Sequence, residues 1–242
     1  MDSMKANDAH QTHPTMLGQT MRAPLLALLL GTLGLTLGAC APRTADPGKA
    51  TATTSVGSVS FYPNQGGLSW SYIPEGDSLN QPPYTLQALG PTVFGSQPAY
   101  AFHMTGRGAD QTWYRSVNDT GILLYGFTKP GLTVSLTPAW REAPAKDAWK
   151  VGLTWTGESK VQVISDGKVV QEGTAHYTYI VTDQRQVTVN GQGYQVWVVN
   201  RQINDDLGGL FPPSQESWFT PFIGDVKTPE GLLLVSKNYK GG

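Results

Sequence analysis

From Phe61 onward, apolar residues recur at every second position, the spacing that puts alternate side chains on one face of a pleated strand. Leu68, Trp70 and Tyr72 form one such run; Tyr84, Leu86 and Ala88, then Tyr100, Phe102 and Met104, then Tyr177, Tyr179 and Val181 form others. Turn chemistry separates the runs at Asp119-Thr120-Gly121, Lys129-Pro130-Gly131, Asp166-Gly167 and Asn190-Gly191. Asp-Gly and Asn-Gly supply the positive φ angles that tight hairpins demand. The clearest hairpin runs from Lys160 to Glu172 about Asp166-Gly167, and a second runs from Tyr177 through Asn190-Gly191 to Arg201.

Continued to Leu232-Leu233-Leu234-Val235, this pattern yields roughly ten strands and no helix of three turns. The stretch from Thr137 to Asp147 has room for a short helix, but Pro138 and Pro144 favour a loop. The expected fold is all-β and antiparallel, because hairpins need no crossover helices. Such a set of strands must curl into a half-open barrel or pack as a sandwich to manage its edges, and the spacing does not choose between them.

Ahead of the strands lies a targeting segment. Arg22 provides a positive start, Leu25 to Leu37 is an apolar run of 13 residues, and Gly38-Ala39 precede the sole cysteine, Cys40. The run falls short of the ~20 residues that span a bilayer as a helix, so it reads as a signal peptide that is removed. Leu37-Gly38-Ala39-Cys40 resembles the lipobox of bacterial lipoproteins. The resemblance implies that Cys40 is lipidated and becomes the mature N-terminus. Ala41 stands where an Asp would, in the sorting rule of enteric lipoproteins, hold the protein at the inner membrane; the expected place is the cell envelope, at the outer membrane in a diderm host.

Residues 1–39 therefore comprise an N-terminal extension and a signal peptide. Asp2, Asp8, His10 and His13 suit no part of a signal peptide, and translation from Met21 or Met16 accounts for them. Residues 40–58, rich in Ala, Thr, Gly, Ser and Pro, read as a flexible tether, and residues 59–242 as a single all-β domain.

Three stretches are similar to a loose group of secreted and lipoprotein β domains of bacteria. Phe61 to Tyr72 matches an opening with Trp-x-Tyr, Val187 to Val199 matches a turn between two strands, and Trp218 to Lys227 matches a Trp-Phe-x-Pro closing element. Asn190 departs from the group's Pro, and Phe222 from its usual Gly. The resemblance implies an all-β envelope domain and carries no catalytic residue to transfer.

With 17 Lys and Arg against 18 Asp and Glu, and no basic run, the chain lacks the field that draws nucleic acid. Transition-metal sites need several Cys, His or carboxylate ligands, whereas the mature chain offers only His103 and His176, with Cys40 committed to the anchor. No cofactor is implied. Ser165 to Lys168 matches S-x-x-K, but it straddles a hairpin tip rather than opening a helix, and no K-T-G follows. Asp205 and Asp206 in the segment Asn204 to Gly209 form only a fragment of a calcium loop.

Aromatic residues are the remaining signal, since all seven tryptophans fall in the mature chain. Most are expected in the core; Trp70, Trp155 and Trp197 are the candidates to face a ligand. The functional expectation is a non-enzymatic, membrane-anchored envelope lipoprotein that binds a protein partner or an apolar ligand. The alternative is an envelope hydrolase acting on wall or surface polymers, with carboxylates such as Asp110, Glu158 or Asp183 in unassigned roles.

Overall fold

In the computed structural model, residues 58 to 241 are described. The segments read from the sequence as a signal peptide and a tether, with Cys40 between them, lie outside the described residues. Twelve strands follow one another: β1 (Ser69–Pro74), β2 (Tyr84–Phe94), β3 (Gln97–Gly106), β4 (Ala109–Asn118), β5 (Gly121–Lys129), β6 (Leu132–Ala143), β7 (Thr154–Ser165), β8 (Lys168–Val189), β9 (Gln192–Asp205), β10 (Ser214–Thr220), β11 (Gly224–Lys227) and β12 (Leu232–Lys237).

Every strand pairs antiparallel with its chain neighbours, and β1 pairs with β12, so the sheet closes into an up-and-down barrel. The all-β, antiparallel expectation holds, with one 3-10 turn at Lys146–Ala148 as the sole helical piece among the described residues. Two details differ from it. The strands number twelve rather than roughly ten, and the barrel is closed rather than half-open or split into a sandwich. The extra count comes from elements such as β11, whose four residues are too few to display an alternation.

Closure needs curvature, which the β-bulges supply. Register shifts occur between Ala88 and Gly90, Tyr114 and Arg115, Leu124 and Gly126, and Val181 and Asp183. At Gly126 a Cβ would collide with the Val134 carbonyl oxygen, so only glycine lets β5 bend this closely onto β6.

Thr137 to Ala143 is strand, not loop: β6 runs through Pro138. The β6–β7 ladder ends at Thr137, and the register with β5 jumps from Ser135 to Trp140, so the missing N–H of Pro138 interrupts no ladder bond. The two foreseen hairpins share a strand, the 22-residue β8, which bends over the barrel far enough for Asn190 Nδ2 to donate to Val235 O at 3.2 Å.

The meander gathers the β2–β3, β4–β5, β6–β7, β8–β9 and β10–β11 connections at one end. Residues 58–68 cross this end: Ala88 N donates to Leu68 O at 2.9 Å and Phe222 N to Phe61 O at 2.9 Å. The remaining connections form the opposite end.

Candidate functional site

Side chains facing the axis leave a cavity of about 440 Å³ inside the barrel. Its two ends differ. At the end crossed by residues 58–68, the lining side chains Tyr62, Ala143 and Phe219 are buried. Trp149, from the β6–β7 connection, stacks on Phe219 with centroids 4.8 Å apart, and its indole N–H donates to the Tyr62 hydroxyl at 2.8 Å. Tyr62 in turn donates to Pro144 O at 2.5 Å, completing an aromatic plug. Burial, only partly offset by the Trp149 bond, raises the Tyr62 hydroxyl pKa well above its ordinary value.

At the other end the lining includes Lys129, Pro212 and Glu230, all exposed, so this end is the mouth. The β9–β10 connection brings Leu210, Phe211 and Pro212 to it. Asp205 shapes that loop, accepting backbone N–H bonds from Leu207 at 2.9 Å, Gly209 at 3.1 Å and Phe211 at 3.2 Å. Asp206 accepts from Thr174 N at 2.6 Å. Both carboxylates are thus loop fasteners, and among the described residues no three His, Cys, Asp or Glu side chains group to hold a metal.

Most of the wall is apolar, with Leu86, Phe102, Met104, Leu124 and Phe127 among its members. A belt of charge interrupts it. On β4, Arg115 grips Glu142 of β6 through both carboxylate oxygens, Nε at 2.5 Å and Nη2 at 3.2 Å, beneath the rings of Phe102 and Trp113. Across the lumen, the register places Tyr179, Arg201 and Gln215 in one row over β8, β9 and β10. The Arg201 guanidinium lies 5.9 Å from the Trp140 ring centroid and 6.0 Å from that of Tyr179. Arg201 Nε and Gln215 Oε1 are buried without a hydrogen-bond partner among the described residues.

Asp225 on β11 completes the belt. Desolvation pushes its pKa up to about 7; Arg115 and Arg201 oppose the rise, while Glu142 and Glu230 reinforce it. Tyr179 is pushed up to about 12, chiefly by its own desolvation.

The residues singled out from sequence are distributed as follows. Trp70 lines the cavity, its indole N–H bonded to Ile223 O at 2.7 Å. Trp155 and Trp197 stand behind the lining: Trp155 stacks on Tyr179 at 5.0 Å, and Trp197 lies 5.9 Å from Trp149. Asp110 and Glu158 are exposed and sit beside His103 (2.9 Å) and His176 (3.3 Å). Asp183 neighbours Arg185 at 3.6 Å, and none of the three acids lines the cavity. Ser165 and Lys168 flank the Asp166-Gly167 turn, where both turn residues have positive φ.

Arg115, Glu142, Arg201 and Asp225 were not singled out from sequence. A signal existed for three of them: Arg115 is in phase with Trp113 and Val117, Glu142 with Trp140, and Arg201 with Val199 and Ile203. A charge in phase with an apolar face is a buried charge in waiting. Comparison of the chain with protein-family models, with curated proteins and with solved structures returned no match.

Proposed function

We propose that this chain is an envelope lipoprotein, held to a membrane by a lipid on Cys40, whose barrel takes an apolar ligand into its lumen and does not transform it. The outer membrane is its place in a diderm host. The cavity carries this reading. At about 440 Å³ it falls within the ~300–1,000 Å³ of ligand pockets, and it combines apolar walls, a few polar groups and one mouth.

The outer surface supports a tether rather than a span. A barrel that crosses a bilayer needs an apolar outer band. Strand β7 instead exposes Thr154, Thr156, Glu158, Lys160 and Gln162 on its outward face. Among the described residues no helix is long and apolar enough to cross a membrane.

Titration of the purified protein with N-phenyl-1-naphthylamine, a neutral apolar fluorophore, tests the ligand-binding part. Saturable enhancement is expected, lost in Leu124→Trp, which fills the lumen. A wild-type barrel that gives no enhancement, yet copurifies with an envelope protein, would move the reading to an adaptor. For the anchor, Cys40→Ala should release the protein from membranes; a variant that still pelleted with them would exclude lipid attachment as the tether.

One observation favours the alternative hydrolase. Glu142, paired with Arg115, and Asp225, whose pKa is raised to about 7, place two carboxyl groups in one cavity. The plug weighs against it for polymers, because a lumen closed at one end admits only a chain terminus. Hydrolysis of short glycosides that disappears in Asp225→Asn would establish the enzyme.

A further inference from the structure

The two arginines of the lumen are in opposite states. Arg115 is fully engaged by Glu142. Arg201 is not: among the described residues its guanidinium enters no ion pair and its buried Nε has no hydrogen-bond partner, the neutral Tyr179 hydroxyl being its hydrogen-bonding neighbour. Glu142 is committed to Arg115, and neither Asp225 nor Glu230 approaches Arg201 within salt-bridge distance. A desolvated guanidinium without a counter-charge is costly, and Trp140 and Tyr179, whose ring centroids lie 5.9 Å and 6.0 Å away, leave its Nε without an acceptor.

The surroundings define what such a group could receive. Gln215, its register partner, donates to Pro229 O at 2.9 Å, and Val199 and Ser217 form the next row. Phe219 and Trp197 form the row after that, against the plug. Along this wall the rows pass from the Arg201–Gln215 pair to Phe219, whose other register partner is Asp225. At the mouth, Lys129, which enters no ion pair among the described residues, adds a second cation.

We propose that the lumen binds a single-chain amphiphile with an anionic oxygen head, the head on the Arg201 guanidinium and the chain along the apolar wall toward Phe219. This rests on the ligand-binding reading and adds a ligand class to it. A planar guanidinium presents paired donors to carboxylate or phosphate oxygens, and in a desolvated site such a bond outweighs its counterpart in water. A free acyl chain and an acyl or alkyl phosphate share this chemistry.

Calorimetry on the purified, delipidated protein at about pH 6, with decanoate, decyl phosphate and decan-1-ol, provides the test. Both anions are expected to bind roughly tenfold or more tighter than the alcohol, and the tighter of the two identifies the source of the head. Arg201→Gln should reduce both anions to the affinity of the alcohol and leave the alcohol unchanged. Arg201→Lys, which keeps the charge, guards against misfolding and should retain part of the preference. Equal affinities for alcohol and anions, or a folded Arg201→Gln variant that keeps the preference, would overturn this inference while leaving the ligand-binding reading intact. Failure of all three amphiphiles, together with failure of the neutral fluorophore, would remove that reading itself.

Discussion

Tyr62 and Trp149, 87 residues apart, meet through a 2.8 Å hydrogen bond that seals one end of the barrel. The Tyr62 hydroxyl also donates to Pro144 O, so a single oxygen satisfies an indole N–H and a backbone carbonyl. Tyr62→Phe keeps the ring stack and strands both partners. The expected loss is about 1–3 kcal/mol, read as a lowered Tm by circular dichroism, because unpaired buried polar groups carry their full desolvation cost. An unchanged Tm would mean that water replaces the hydroxyl and that this end is wet.

The Arg115–Glu142 pair makes an asymmetric prediction. Glu142→Gln leaves a desolvated guanidinium without its counter-charge and should cost about 2–4 kcal/mol in urea unfolding. Side-chain exposures of 19% and 16% allow some solvent relief, which places this near the lower end of the range for buried pairs. Arg115→Met combined with Glu142→Leu should recover most of the loss, since an apolar pair needs no compensation. A double variant no more stable than Glu142→Gln would contradict this account.

Asp225 gives the lumen a pH dependence with a definite sign. Its folded pKa, about 7, lies above the ~3.9 of an unfolded aspartate. Below ~4 both states hold the proton; between there and about 7 the folded state retains a proton that the unfolded chain has released. Stability from this group therefore declines as pH rises across that window, by at most about 1.4 kcal/mol per unit, and levels off above it. Denaturant titrations across the window should show the decline in wild type and a flatter profile in Asp225→Asn.

The same group should tune ligand affinity. Arg115 and Arg201 bear on its carboxyl as cations, Glu142 and Glu230 as anions, and its own carbonyl accepts the Tyr72 hydroxyl at 2.9 Å. Ionised Asp225 repels an anionic head, so decanesulfonate, charged at every pH used, should bind more weakly above about pH 7 than below it. In Asp225→Asn that dependence should vanish; an equally steep dependence in the variant would assign it to another group.

Asp205 holds the mouth through three backbone bonds. Asp205→Ala should release Leu207, Gly209 and Phe211, with a cost of about 1–3 kcal/mol and faster amide hydrogen exchange in that loop. Exchange unchanged there would show that apolar packing of Leu207, rather than the carboxylate, fixes the loop.

Reading the sequence located the strands better than the site. The Asp166-Gly167 and Asn190-Gly191 turns stand where their chemistry requires, because a tight hairpin is a local event with φ values of 50° and 72° at one tip and 49° and 74° at the other. Pro138 misled, since its effect depends on whether a neighbouring strand asks for the missing N–H, and here none does. Trp70 reaches the cavity while Trp155 and Trp197 stand one layer out, although all three are aromatic residues of alternating strands. Alternation assigns a face; the curvature of the sheet decides which part of that face is lumen and which is packed.

What the sequence determined alone is the all-β antiparallel character of residues from Phe61 onward. Period-two patterning and positive-φ turns act between near neighbours and need no knowledge of the whole. Closure, the plug and the charge belt were decided by tertiary structure. Pairing β1 with β12 joins segments 162 residues apart at Tyr72 and Leu234, through bulges whose summed twist no local window records. Arg201 shows the same limit most clearly: its phase along β9 places it on the apolar face, but that its Nε lacks a hydrogen-bond partner among the described residues emerges only when the other strands of the barrel have been set around it.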